Sequence, residues 1–415
     1  MKKEMTRSIR INGERLWRRI MAMAEVGATE KGGSNRQALT DEDREGRDMF
    51  VSWCNDAGLD VRIDQMGNIF AWRHGSDPMQ TPVLASSHLD TQPTGGRFDG
   101  VYGVLAALEV METLNEHGIE TIAPLVLASW TNEEGARFVP AMMGSGVFAG
   151  VFDLKEAWAS EDRSGTSLYD ELERIGYLGD RPAEAFPIRA ALEVHIEQGP
   201  ILESKARQVG IVTGVQGLRW YDITLSGDEC HAGPTPMKQR RDPFMVLGPV
   251  LEFCYAMAEE FSPSARVTFG DIKVVPGARN TVPGEVTLSV DLRHHDAGIL
   301  DLMDARLREY VEKLCGAAGI NGMVEEVWHM PVTRFDQGCI EAVRSATKQL
   351  GYPCIDMVSG AGHDSLYIAK VAPASMIFVP CENGLSHNEA ENVSLADLEA
   401  GCNVLLHAML HIAGS

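Results

Sequence analysis

The sequence predicts an α/β protein: a mixed, mainly parallel sheet flanked by helices, with an inserted α+β domain of four antiparallel strands and two helices. Three observations carry this. Short, almost wholly apolar runs alternate with helical stretches, as in central strands covered on both faces. Near residue 210 the pattern turns to alternating apolar and polar residues, as in antiparallel strands with one open face. After about residue 330 the first pattern returns, so residues 1–212 and 330–415 read as one domain and 213–329 as an insertion.

The elements follow in chain order. Thr40 and Asp43 form a capping pattern that opens a helix ending at Gly58. Met66-Gly67-Asn68 marks a hairpin turn. Residues 82–86 and 122–129 are apolar enough for central strands, and the helix between them, 100–117, stops at Gly118. That is a βαβ unit, hence parallel pairing. A further apolar strand covers 188–194. Within the insertion, 220–225 and 285–292 alternate as strands, while 243–261 and 297–315 are amphipathic helices. A helix over 337–350, a strand over 375–379 and a last helix capped by Ser394 and Asp397 complete the chain.

Composition narrows the function. A chain of 415 residues with 44% apolar and 23% charged residues can build two globular cores. A formal charge of −22 argues against nucleic acid, whose phosphates need a basic face. An anionic small substrate would need its own local arginine. No apolar run nears the roughly 18 residues of a membrane span, so no membrane partner is expected. The opening MKKEMTRSIR is basic but leads into polar NGERLWRRI, so no secretion signal is read. Eight cysteines without a CxxC pair suit reduced thiols and a cytoplasmic location.

Four stretches can carry chemistry: SHLDTQPTGGRFDG from Ser87, WTNEEGARF from Trp130, EVHIEQGP from Glu193 and NGLSHNEAE from Asn383. Singly each is weak, since a lone strand histidine is usually a satisfied core residue and a Glu-Glu pair is usually solvated. Together, His88, Asp99, Glu134, His195 and His387 all fall at or just past the ends of predicted strands of one sheet, where open α/β sheets gather ligands. Two histidines with a carboxylate, and one histidine with two carboxylates, sharing an aspartate, describe a two-metal centre. Nitrogen and oxygen donors without thiolate suit Zn²⁺, Mn²⁺, Co²⁺ or Ni²⁺.

These stretches, with HAGPTPM, NTVPGEV and SGAGHDS, resemble the co-catalytic metallopeptidase and aminoacylase superfamily from about residue 60 to 410. Within it they are similar to the amidase branch of N-carbamoyl-L-amino-acid hydrolases, β-ureidopropionases and allantoate amidohydrolases. The resemblance implies two divalent ions, zinc foremost, with His88 and His195 on one, Glu134 and His387 on the other, and Asp99 bridging. It makes Asp90 the carboxylate that orients His88 and Glu133 the general base. It assigns His231 and Asn280 to the substrate carbonyl, Arg293 to the substrate carboxylate, and Gln198 and the backbone of Gly362 to further contacts. It casts the insertion as a lid and dimerisation domain, hence a homodimer.

The reaction it implies is hydrolysis of the carbamoyl C–N bond of an N-carbamoyl amino acid, of α-L or β-alanine type, to the amino acid, CO₂ and NH₃. Allantoate hydrolysis is the second reading, ahead of an aminoacylase or dipeptidase. A non-catalytic metal-binding protein is disfavoured because Glu133 is present.

Overall fold

The computed structural model describes residues 8–414; the basic opening, residues 1–7, lies outside the described residues. The chain divides into two compact units, one running to Thr213 and resuming at Arg334, the other spanning Gly214–Thr333.

The first unit begins with helices α1 (Gly13–Glu25) and α2 (Asp41–Asp56). Asn12 caps α1, and the Thr40 hydroxyl caps α2 by accepting the N–H of Asp43. Strands β1 (Asp60–Ile63) and β2 (Ile69–Arg73) form the hairpin around Gly67, followed by β3 (Val83–His88), α3 (Val101–Glu116), β4 (Leu125–Trp130), β5 (Ala190–Ile196) and β6 (Val209–Val215).

The second unit holds a sheet of β7 (Gly217–Ser226), β9 (Arg266–Thr268), β10 (Ile272–Val275), β12 (Glu285–His294) and β13 (Asn321–Met330). A separate ribbon pairs β8 (Cys230–His231) with β11 (Thr281–Val282). Helices α4 (Phe244–Glu260) and α5 (Ala297–Ala318) complete its core, in which Ile223, Leu225, Val250, Val290, Met303 and Leu307 are buried together. Five antiparallel strands replace the four expected. The reason is local: the edge beside β12 is shared by two short strands, β10 against Glu285–Leu288 and β9 against Asp291–Arg293. Residues 269–271, with Gly270, interrupt what would otherwise be one strand.

The first unit resumes with β14 (Thr333–Arg334), α6 (Gln337–Leu350), β15 (Cys354–Ser359), β16 (Ala374–Val379) and α7 (Leu395–Ala413). Its sheet runs β1-β2-β4-β3-β5-β16-β6-β14, with β15 also on β6. The central strands β4, β3, β5 and β16 are mutually parallel, flanked by antiparallel β2 and β6. Every residue of those four strands is buried, as their continuous apolar runs require. Helices α3, α6 and α7 pack on this sheet. At Gly103 of α3 an added Cβ would stand 2.6 Å from both Ser87 Cβ and the Val194 carbonyl, so glycine sets how closely α3 approaches β3 and β5.

Parallel pairing brings the carboxyl ends of four strands to one edge of the sheet. His88 ends β3, the Glu133-Glu134 pair follows β4, His195 is next to last in β5, and the His387 loop follows β16.

Candidate metal centre

The loop from His88 to Asp99 turns back because Gly100 takes a left-handed conformation (φ 65°) with its Cα against the His88 ring. An added Cβ would meet that ring at 2.3 Å, so only glycine allows Asp99 to close over His88 at the start of α3.

Three donor groups result among the described residues: Glu193–His195–His363, and two triads that share Asp99, His88–Asp99–His195 and Asp99–Glu134–His387. In the first of these two triads, His88 Nε2 is 3.7 Å and His195 Nε2 3.1 Å from Asp99 Oδ1. In the second, His387 Nε2 is 3.4 Å from Asp99 Oδ2 and 3.3 Å from Glu134 Oε2. The rings are oriented from behind: Nδ1 of His88 donates to the Asp90 carbonyl and Nδ1 of His195 to the Ile196 carbonyl, both at 2.9 Å. A carbonyl can only accept, so Nε2 is the nitrogen turned toward Asp99 in each.

Glu133 is buried, with Oε2 3.6 Å from His88 Nε2, and belongs to neither triad. Asp90 has a different task from the one expected. Its carboxylate lies 4.0 Å from His88 Nδ1 and instead accepts the N–H groups of Glu133 (3.2 Å) and Glu134 (3.1 Å). His88 is oriented by the Asp90 main-chain carbonyl, while the Asp90 side chain fixes the turn that carries both glutamates. The side chain reaches that turn because β3 and β4 are adjacent and parallel.

The electrostatics favour added positive charge. Burial, then the charges of Asp364, Glu134, Asp90 and Asp99, holds the Glu133 carboxyl well above the usual carboxylate range. Burial and the neighbouring Asp99 push Glu134 up to about 8. Burial pulls His88 down to about 4; at His195 burial is outweighed by the hydrogen bond and charge of Asp99, which lift it to about 9. Crowded carboxylates with imidazole nitrogens as close neighbours, arranged as two triads on one shared aspartate, form a donor set that fits divalent cations of the zinc and manganese class. Binding them displaces protons from the same groups.

Gln198 donates Nε2–H to Asp99 Oδ2 at 2.8 Å, which fixes its amide, because the flipped form would oppose two oxygens. Its Oε1 is buried and has no hydrogen-bond partner among the described residues. Asn132, Gln198 and His387 have φ of 58°, 56° and 52°, so three loops around the triads hold non-glycine residues in left-handed conformations. Gly362 lies between β15 and buried His363, its Cα facing the Met142 side chain.

His231, Asn280 and Arg293 belong to the second unit and to neither triad. The β8–β11 ribbon sets His231 opposite Thr281, and the Ala232 N–H donates to the Asn280 carbonyl at 2.9 Å. His231 Nδ1 accepts the Gly233 N–H at 3.1 Å, so the neutral ring carries its proton on Nε2. Arg293, on β12, grips Asp291 through Nε and a terminal nitrogen at 2.8 to 3.1 Å.

Several residues around the triads escape a reading by motif. Gln92 donates to Glu134 Oε2 at 2.7 Å and lies inside the SHLDTQPTGG stretch. Glu193, two residues before His195, accepts from Ser87 Oγ and from the N–H and hydroxyl of Ser365. Arg36 is fully buried and donates to the carbonyls of Leu89, Met23 and Val26, so it braces the turn between His88 and Asp90. Ser386 and Glu391 flank His387. For Gln92, Glu193 and Glu391 the available signal was their place inside stretches that already carried ligands; for Arg36 there was none.

Comparison with known proteins gives the family. The sequence matches the profile of peptidase family M20/M25/M40 over residues 84–411. It is 49% identical over 404 residues to an N-carbamoyl-L-amino-acid amidohydrolase of Rhizobium meliloti, covering 97% of each chain. It is 33% identical over 393 residues to an allantoate amidohydrolase of Bacillus subtilis, covering 94% of this chain and 95% of that one. A crystal structure of an amidase of the hydantoinase/carbamoylase family from Burkholderia multivorans superposes with a TM-score of 0.93 at 50% identity, covering 98% of this chain and 99% of the other. With its strand-end triads, its free glutamate and these full-length relatives, the chain belongs to peptidase family M20/M25/M40.

Proposed function

We propose that the protein hydrolyses the carbamoyl C–N bond of N-carbamoyl amino acids, using two divalent metal ions, zinc foremost. The observation that carries the reading is the pair of triads sharing Asp99, with Glu133 beside them and outside both. Similarity along the whole chain to N-carbamoyl-L-amino-acid amidohydrolases sets the substrate class.

His88, Asp99 and His195 would hold one ion and Asp99, Glu134 and His387 the other; bound ions supply Lewis-acid polarisation of a carbonyl and acidify water at neutral pH. Glu133 takes the proton of the attacking water and passes it to the departing nitrogen. The C–N bond breaks, releasing the free amino acid and carbamate, which decays to CO₂ and NH₃. Gln198 Oε1, buried and with no hydrogen-bond partner among the described residues, offers an acceptor for a carbamoyl N–H, which an acetyl group lacks. His231, protonated on Nε2, and Asn280 are the donors for the carbonyl oxygen. Arg293 is the guanidinium for the substrate carboxylate, exchanging its Asp291 partner for it.

The second unit acts as lid and dimerisation domain. Strand β13 is an edge of its sheet and, with neighbouring β7, exposes Trp220, Met323, Val327 and Trp328, an apolar edge that a second copy would cover.

The test is ammonia release by zinc- and manganese-loaded protein from N-carbamoyl-L-methionine, N-carbamoyl-β-alanine and allantoate, with chelated enzyme as blank. Turnover of a carbamoyl amino acid that disappears on chelation is the expected result. Turnover of allantoate alone would install the second reading, which the Bacillus subtilis relative supports.

A further inference from the structure

Asp99 and His387 must meet although they come from distant parts of the chain. Asp99 sits on the turn into α3, while His387 sits on a loop after β16, about half exposed and in a left-handed conformation (φ 52°). Such a loop needs an anchor, and the structure contains one. Glu391 is buried, and its Oε1 accepts the N–H groups of Phe98 (2.9 Å) and Asp99 (3.1 Å). Its Oε2 is 2.9 Å from the Ser386 hydroxyl, which is 3.0 Å from Asp99 Oδ2. The loop that bears Asp99 is shaped to admit this carboxylate: a Cβ on Gly96 would fall 2.0 Å from Glu391 Oε1.

We infer that Glu391 is a positioning residue for the Asp99–Glu134–His387 triad, clamping the His387 loop, together with the Ser386 hydroxyl beside it, to the main chain of the Asp99 turn. This rests on the two-metal reading above. Glu391 is part of neither triad, so it acts only through the residues it holds. The geometry also says which replacement preserves the clamp. In Glu391→Gln, Oε1 still accepts the two N–H groups and Nε2 donates to Ser386 Oγ, leaving the serine hydrogen for Asp99. Glu391→Ala has neither group.

The experiment is titration of the full-length metal-free chain with Co²⁺, followed by its visible absorption and by competition with a chelator. Wild type should take up two equivalents. Glu391→Ala should bind one equivalent within about threefold of wild type and the other about 10- to 100-fold more weakly, the usual scale for groups that orient ligands. Glu391→Gln should return the weak equivalent to within about threefold. Thermal melting of the metal-free variants separates this from general damage. The inference is overturned if Glu391→Ala keeps both affinities, if Glu391→Gln is as weak as Ala, or if both equivalents weaken together with a lower metal-free melting temperature. Fewer than two equivalents on wild type would instead overturn the two-metal reading, and the inference with it.

Discussion

Glu133 and Asp90 divide one task at the residue scale. Asp90 holds the main chain of the Glu133-Glu134 turn, and the Glu133 side chain stays outside both triads. Glu133→Gln should therefore keep both metal equivalents, counted by elemental analysis, while turnover falls by about 10²- to 10⁴-fold, the usual worth of a positioned general base. Near-normal turnover in that variant would remove Glu133 from the reaction. Asp90→Ala should behave differently. It strands two buried N–H groups, so stability should drop by about 2–5 kcal/mol in chemical denaturation and metal affinity should fall as Glu134 loosens. The residues of both triads were legible in the sequence because each follows an apolar strand run. The Asp90 role was not. Whether its carbonyl or its carboxylate faces His88 depends on where the β4 turn sits, and sequence spacing carries no information about that.

Elements deliver these side chains to within bonding range, and small changes between elements should be felt at the centre. Gly103→Val would force α3 away from the ends of β3 and β5, which bear His88 and His195. Overpacking of this kind costs about 1–3 kcal/mol; melting should fall and metal affinity with it. The loop after β4 is tied down by Arg137, which donates to Asp162 at 3.0 and 3.1 Å. The Ser164 hydroxyl first, then the N–H groups of Ser164 and Thr166 and the Arg137 guanidinium, hold the Asp162 carboxyl well below the usual carboxylate range. A depressed carboxylate contributes stability that is complete above its unfolded value, about 4, and is lost as pH falls through the lower folded value. Asp162→Asn should flatten that acid limb in melts from pH 5 downward and lower stability by a constant amount near neutral pH. Element boundaries were readable where local chemistry set them: the expected helix over 337–350 is the observed Gln337–Leu350, and the last helix carries its Ser394 cap. The strand expected from Ile122 starts instead at Leu125. Ile122 is 46% exposed and gives its N–H to the Gly414 carbonyl, so the C-terminal helix, remote in sequence, claims the residues that periodicity assigned to the strand.

For the whole molecule, metal binding and stability should be linked. Ions that bind only the folded state add about 2.7 kcal/mol per site at a hundredfold excess over Kd, so chelation should lower the melting temperature by several degrees and re-addition of Zn²⁺ or Mn²⁺ should restore it. An unchanged melting curve would mean that the triads bind no ion tightly. No helix among the described residues is long and apolar enough to cross a membrane.

The mixed α/β architecture was readable because apolar runs at strand length alternate with helices, and the residues that the structure gathers into the two Asp99 triads were marked because they follow those runs. How those residues are supported depends on the packing of distant elements against one another. The clamp from Glu391 to Asp99, the bond from Gln198 to Asp99, the buried Arg36 behind Leu89 and the reassigned Asp90 all join residues on different strands or loops. Hydrophobic periodicity reports burial along one element, whereas a hydrogen bond between elements depends on where both have come to rest.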